Sequence, residues 1–174
     1  MNLKPLAAAL ALTAGATLFA LPSASAAPTY TNCDVETAAL AVRGEEPDVL
    51  LAINQLRKDA GIKTLAIDDT LSRPAEWASN DSANRGYSPS NHIDTLGRGI
   101  DTRLHQCGLS NSTLAYGEIN YWGYNITPND AMTFWKNSPT HKALMLSTGY
   151  TRIGVAVIYK DGHQHWTVTF ASNS

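Results

Sequence analysis

The sequence lacks the features that would place it in several common classes. Its 174 residues carry 13 Lys and Arg against 15 Asp and Glu, a formal net charge of −2, with no basic patch and no long run of one sign. Nucleic acid is therefore not an expected partner. Beyond the N-terminus no stretch approaches the roughly 20 apolar residues that a membrane-spanning helix needs. Consecutive βαβ units are missing, which excludes a doubly wound sheet. No His-Glu-x-x-His helix motif is present, and no nucleophile is paired with a base, so the commonest hydrolase signatures are absent. Only two cysteines occur, Cys33 and Cys107.

The first residues are informative. Lys4 precedes an apolar run from Leu6 to Leu21, and small residues follow, ending in Ala24-Ser25-Ala26. That pattern predicts a secretory signal peptide over 1–26. Tyr30-Thr31-Asn32 ahead of Cys33 does not suggest a lipid-anchored cysteine. Cleavage leaves 148 residues with a formal charge of −3, enough for one domain with its own core. The expected product is a secreted, extracellular, soluble protein with no transmembrane segment in the mature chain, and a monomer. An oxidising compartment makes a Cys33–Cys107 disulfide the first expectation. Closing a loop of roughly 75 residues contributes on the order of 4 kcal/mol in the chain-entropy account.

Residues 27–46 read as a tether, with a short helix over Val35 to Val42, and the domain proper as 47–174. Val49, Leu50, Ile53 and Leu56 recur at helical spacing after Pro47 until Gly61. A second helix is predicted from Leu71 to Asn84, with Pro74 in its first turn and Gly86 as its stop. Tyr87 to Gly99 is rich in Ser, Pro, Asn and Gly and reads as a loop carrying His92. Ile100, Leu104 and Cys107 mark a short helix. Leu114 to Tyr121 reads as a strand. Thr127-Pro128 opens a helix holding Phe134 and Trp135, and Ser138-Pro139 opens another holding His141. Ile153, Val155, Val157 and Tyr159 alternate, Asp161-Gly162 makes a turn, and Trp166, Val168 and Phe170 alternate on the return. Helices first and a hairpin last predict an α+β domain.

In their order and spacing these residues resemble the CAP superfamily of cysteine-rich secretory proteins, antigen 5 and pathogenesis-related proteins, in its short bacterial branch. The resemblance spans nearly all of residues 50–171. It rests on Asn54, Arg57, Gly61, Leu65, Leu71, Ala75 and Ala78, then on His92, Arg103, Gly108 and Gly117-Glu118. It continues with Trp135, Ser138-Pro139-Thr140-His141, Ile153-Gly154-Val155, Trp166 and Phe170. It implies a three-layer α-β-α sandwich around a central antiparallel sheet, and a cleft in which His92, His141 and Glu118 converge. The chain departs from the family pattern at Ile119 and Thr140, and a second cleft glutamate has no counterpart between Trp135 and His141.

Two neutral imidazoles and one carboxylate can hold a divalent ion such as Zn2+ and leave a position for water. His92, His141 and Glu118 are therefore the expected metal ligands, and no catalytic residue is assigned. Tyr121, Trp122 and Tyr124 either line a ligand groove or pack over the sheet edge. His163 and His165 share one side of a strand and read as solvated rather than as an ion clamp. Ser138 reads as a helix cap rather than a nucleophile. Asn80, Asn111 and Asn125 begin glycosylation sequons, relevant only in a eukaryotic source. The expected function is a secreted, non-catalytic binding protein for a lipid, sterol or other apolar ligand, or for a cell-envelope component. The alternative is a metal-assisted hydrolase, peptidase-like, using the same cleft.

Overall fold

A computed structural model describes residues 44–173. The expected signal peptide, almost all of the expected tether with its short helix, and Cys33 lie outside the described residues.

Helix α1 spans Glu46–Asp59, with Pro47 in its first turn, Glu46 and Asp48 at its start and Arg57 and Lys58 at its end, each sign matched to the helix dipole. Val49, Ile53 and Arg57 form its buried stripe. The Arg57 guanidinium is fully buried and donates to the carbonyls of Lys63, Met145, Ser147 and Tyr150. It thereby ties the end of α1 to the turn before the hairpin. Glu46, expected in the tether, is buried, and its carboxylate accepts from the Val157 amide at 3.0 Å.

Strand β1 (Ala66–Ile67) leads into α2 (Asp69–Arg85), capped by the Asp68 side chain. Because α2 starts two residues earlier than expected, Pro74 falls in its second turn. There it deprives the Thr70 carbonyl of a helical partner. Helix α3 covers Ile100–Gln106, strand β2 Tyr116–Tyr124, α4 Pro128–Asn137 and α5 Pro139–Met145. Strands β3 (Arg152–Lys160) and β4 (His163–Ala171) form the expected hairpin. Asp161 and Gly162 both have positive φ, as a two-residue primed turn requires. β2 runs past the expected end at Tyr121, and Leu114 lies outside it, almost fully exposed.

The sheet order is β1-β3-β4-β2. The β2–β4 and β3–β4 pairs are antiparallel, but β1 runs parallel to β3, so the sheet is mixed rather than wholly antiparallel. The intervening chain from α2 to α5 supplies the long crossover that a parallel pair needs.

Alternation along the strands sorts the two faces. Ile153, Val155, Val157, Trp166, Val168, Phe170 and Ile119 pack with Val49, Ile53, Met132, Trp135 and Met145 in one large core under α1, α4 and α5. The opposite face presents Gly154, Ala156, His165, Thr167 and Thr169 to α2. There the contact is close and hydrogen-bonded. A Cβ at Gly154 would lie 2.3 Å from the Leu71 carbonyl carbon, while Thr169 donates to the Leu71 carbonyl and Ser79 to that of Ala156. Leu71, Leu104, Leu109 and Ala171 make a smaller apolar cluster where α3 joins this layer. The result is the α-β-α sandwich, with β2 at the open edge of the sheet.

Candidate functional site

An open cleft of about 520 Å³ crosses this edge strand. His92 enters it from the loop after α2, Tyr121 and Trp122 from β2, and Phe134, Ser138 and His141 from α4 and α5. The two histidines thus come from opposite layers and meet over the sheet edge.

His92 is held through both its backbone and its ring. Its amide donates to the Pro89 carbonyl at 3.1 Å, its carbonyl accepts from Arg103 at 3.1 Å, and its Nδ1 lies 2.9 Å from Glu118 Oε1. These bonds keep a non-glycine residue at φ 56, in the left-handed region. Glu118 is nearly inaccessible and does not line the cleft; it lies beneath His92. Arg103, equally buried, places Nη2 2.7 and 2.6 Å from its two oxygens. With Nδ1 of His92 committed to a carboxylate, Nε2 is the nitrogen left for a ligand, the arrangement in which a carboxylate orients a metal-binding imidazole.

His141 is half-buried, and its Nδ1 is buried without a hydrogen-bond partner. Burial, and then the neighbouring His92, push its pKa below the ordinary histidine value, so the neutral, ligating form is favoured. The structure therefore gathers His92 and His141 into one cleft and Glu118 onto His92, but it does not present Glu118 as a third donor. Among the described residues no group of three His, Cys, Asp or Glu stands close enough to hold a metal ion. The donors that a divalent cation could use in this cleft are the two imidazoles, and Glu118 could act only through His92.

Tyr121 stacks on Phe134 with centroids 4.3 Å apart, and Trp122 is partly exposed; both line the cleft, whereas Tyr124 reaches outward against His163. His163 and His165 do share a side of β4, but His165 is not solvated. It is 1% exposed, covered by α2, with Nδ1 2.8 Å from Ser82 Oγ. Burial, and then the charges of His163 and Lys160, push its pKa down to about 4. Ser138 occupies the cap position of α5, yet its side chain makes no capping bond and faces the cleft. Cys107 is fully buried at the end of α3, with Cys33 outside the described residues. The role of Arg103 is not legible beyond the family resemblance, because its partner Glu118 lies 15 residues away on another element. Phe134 reads in the sequence only as part of a helix, and the extended Ser138 between α4 and α5 breaks any helical period that would relate it to His141.

A second groove, of about 500 Å³, lies between α1 and α4, with Ala52, Leu56, Pro128 and Met132 as its apolar lining and Asp48 and Lys136 among its polar lining. No helix among the described residues is long and apolar enough to cross a membrane.

Residues 50–170 match the family described as the cysteine-rich secretory protein family, CAP. The chain is 32% identical over 129 residues to the uncharacterized protein YkwD of Bacillus subtilis (strain 168), covering 74% of this chain and 48% of that protein, so it spans about half of that relative's length. An outer surface protein of Borrelia burgdorferi superposes with a TM-score of 0.66 at 24% identity, over 75% of this chain and 93% of that one. An extracellular SCP-domain protein of Bacillus anthracis str. Ames gives 0.64 at 23%, over 73% and 40%. The last two likenesses show the fold, and the match over most of the domain shows the family: the chain belongs to the cysteine-rich secretory protein, or CAP, family.

Proposed function

We propose that the protein is a secreted, non-catalytic CAP-domain binding protein that acts outside the cell or at its envelope, and that its two-histidine cleft takes a divalent cation such as Zn2+. The observation that carries this reading is the buried, unpartnered Nδ1 of His141 in the cleft that also holds the Glu118-oriented ring of His92. A buried polar atom without a partner is costly, and a metal ion supplies one. The N-terminal signal pattern supports secretion, as do the extracellular and outer-surface descriptions of the two structural relatives. The lipid, sterol or other apolar ligand that the family resemblance implies is best accommodated by the α1–α4 groove, whose apolar lining it would cover.

A metal-assisted hydrolase in the same cleft is the weaker reading. Such an enzyme needs a base for the attacking water. Glu118, the carboxylate beside His92, is already engaged by Arg103 and His92. Elemental analysis of the purified mature protein together with native mass spectrometry tests the proposal. The expected result is one zinc or similar ion per chain, lost on replacing His92 or His141. Absence of metal from the isolated protein, with no uptake on titration, overturns it.

A further inference from the structure

The geometry points to a neutral oligosaccharide as the organic ligand of the two-histidine cleft, with Trp122 as its stacking platform. This goes beyond the metal reading of the cleft and does not depend on it.

Three observations carry it. First, none of the residues lining the cleft is Asp, Glu, Lys or Arg; its polar groups are neutral amide, hydroxyl and imidazole. In the metal-free cleft an ionic organic ligand would find no side chain of opposite charge, whereas an uncharged one loses nothing. Second, although the Ser88 hydroxyl pairs with that of Ser82 and His92 Nδ1 with Glu118, other neutral groups of the lining have bonding capacity to spare. The Ser138 hydroxyl makes no capping bond, Thr140 is exposed, and Asn120 uses only its amide nitrogen, at 3.4 Å, toward the Pro89 carbonyl. A lipid in this cleft would leave them unpaired; a ring of sugar hydroxyls matches them.

Third, the aromatic rings are mounted as platforms. Trp122 is flanked by His165, parallel to within 9° at 5.8 Å between centroids, and by His163, tilted at 5.7 Å, and is still 37% exposed. Across the edge strand Phe134 is backed by Tyr121 in the same manner and is 43% exposed. A flat ring held from behind costs little conformational entropy when a ligand lies on it. The C–H face of a pyranose offers such a ring apolar contact while its hydroxyls project to the rim. The cleft volume of about 520 Å³ lies within the usual range for small organic ligands.

The test titrates chitotriose, cellotriose, maltotriose and mannotriose into EDTA-treated and zinc-loaded full-length mature protein, read by ligand-observed NMR and by tryptophan fluorescence. At least one of these sugars should bind in both preparations. Trp122→Ala should weaken binding by at least about tenfold, and Trp122→Phe, which keeps a platform, by only a few-fold. Near-ultraviolet circular dichroism of each variant confirms the fold. No binding of any of the four sugars at millimolar concentration overturns the inference, as does binding that both Trp122→Ala and Phe134→Ala leave unchanged. Zinc uptake without sugar binding removes the inference and leaves the metal reading intact; sugar binding by a protein that takes up no zinc does the reverse.

Discussion

Arg103 and Glu118 are locked together beneath the cleft, with Nη2 of the arginine 2.7 and 2.6 Å from the two carboxylate oxygens and both side chains 2% exposed. Neither charge has water to fall back on, so the pair is far more sensitive to loss of one partner than an exposed ion pair. Arg103→Met should destabilise the protein by roughly 3–5 kcal/mol in urea unfolding, because it leaves a buried carboxylate uncompensated. Glu118→Gln should weaken zinc binding about 10- to 100-fold through the lost orientation of His92. A loss for Arg103→Met below about 1 kcal/mol would show that water replaces the guanidinium.

Zinc affinity should fall as pH drops from about 7.5 to 5.5, since protons compete for the imidazole lone pairs. The lowered pKa of His141 delays the loss at that ligand to lower pH. Calorimetric titration should find most of the binding gone in His92→Ala and in His141→Ala, and retained in His163→Ala. Equal losses in all three would indicate scattered histidine binding.

The buried imidazole of His165 gives a separate acid dependence. An unfolded histidine titrates near 6.5 and the folded one near 4, so between these values the unfolded state binds more protons and stability falls as pH falls. The contribution is fully present above about pH 6.5 and is lost progressively toward pH 4, with a magnitude on the order of 3 kcal/mol. Chemical unfolding across this window should show a flatter pH profile in His165→Gln than in the parent. Identical slopes would mean that His165 protonates without disturbing its contact with Ser82.

Trp135 and Phe170 are both fully buried in the larger core. Alanine at either position should cost roughly 3–5 kcal/mol. Trp135→Phe should cost less, yet more than its lost volume alone suggests, because the Trp135 Nε1 donor to the Asn120 carbonyl at 3.0 Å also disappears. Reversible denaturation measures all three.

Peptide mapping of the mature protein without reductant should recover Cys33 and Cys107 in one linked fragment. Recovery of both as alkylated thiols from oxidatively produced material would remove the disulfide.

Where local chemistry decides structure, the chain can be read directly. The Asp161-Gly162 turn, the Thr127 cap and the helix stop at Gly86 depend on a few adjacent residues, and each stands where expected. The parallel strand β1 escapes such a reading because two residues carry no period and their pairing depends on Arg152 and Ile153, far along the chain. His165 departs from expectation for a related reason: period two places it beside His163, but whether that face is wet depends on α2, which covers one histidine and not the other. At the site, family resemblance brings His92, Glu118 and His141 to one region. It does not show that Arg103 takes the carboxylate, since a buried ion pair across 15 residues leaves no mark in spacing.

The cleft lies on the edge strand, with one histidine hung from the α2 layer and the other from the α4–α5 layer. Anything that grips both rings therefore bolts the two outer layers together across the rim of the sheet. Such a bolt makes occupancy audible in the whole domain's melting: saturating ligand at about 100 times its dissociation constant raises stability by about 2.7 kcal/mol.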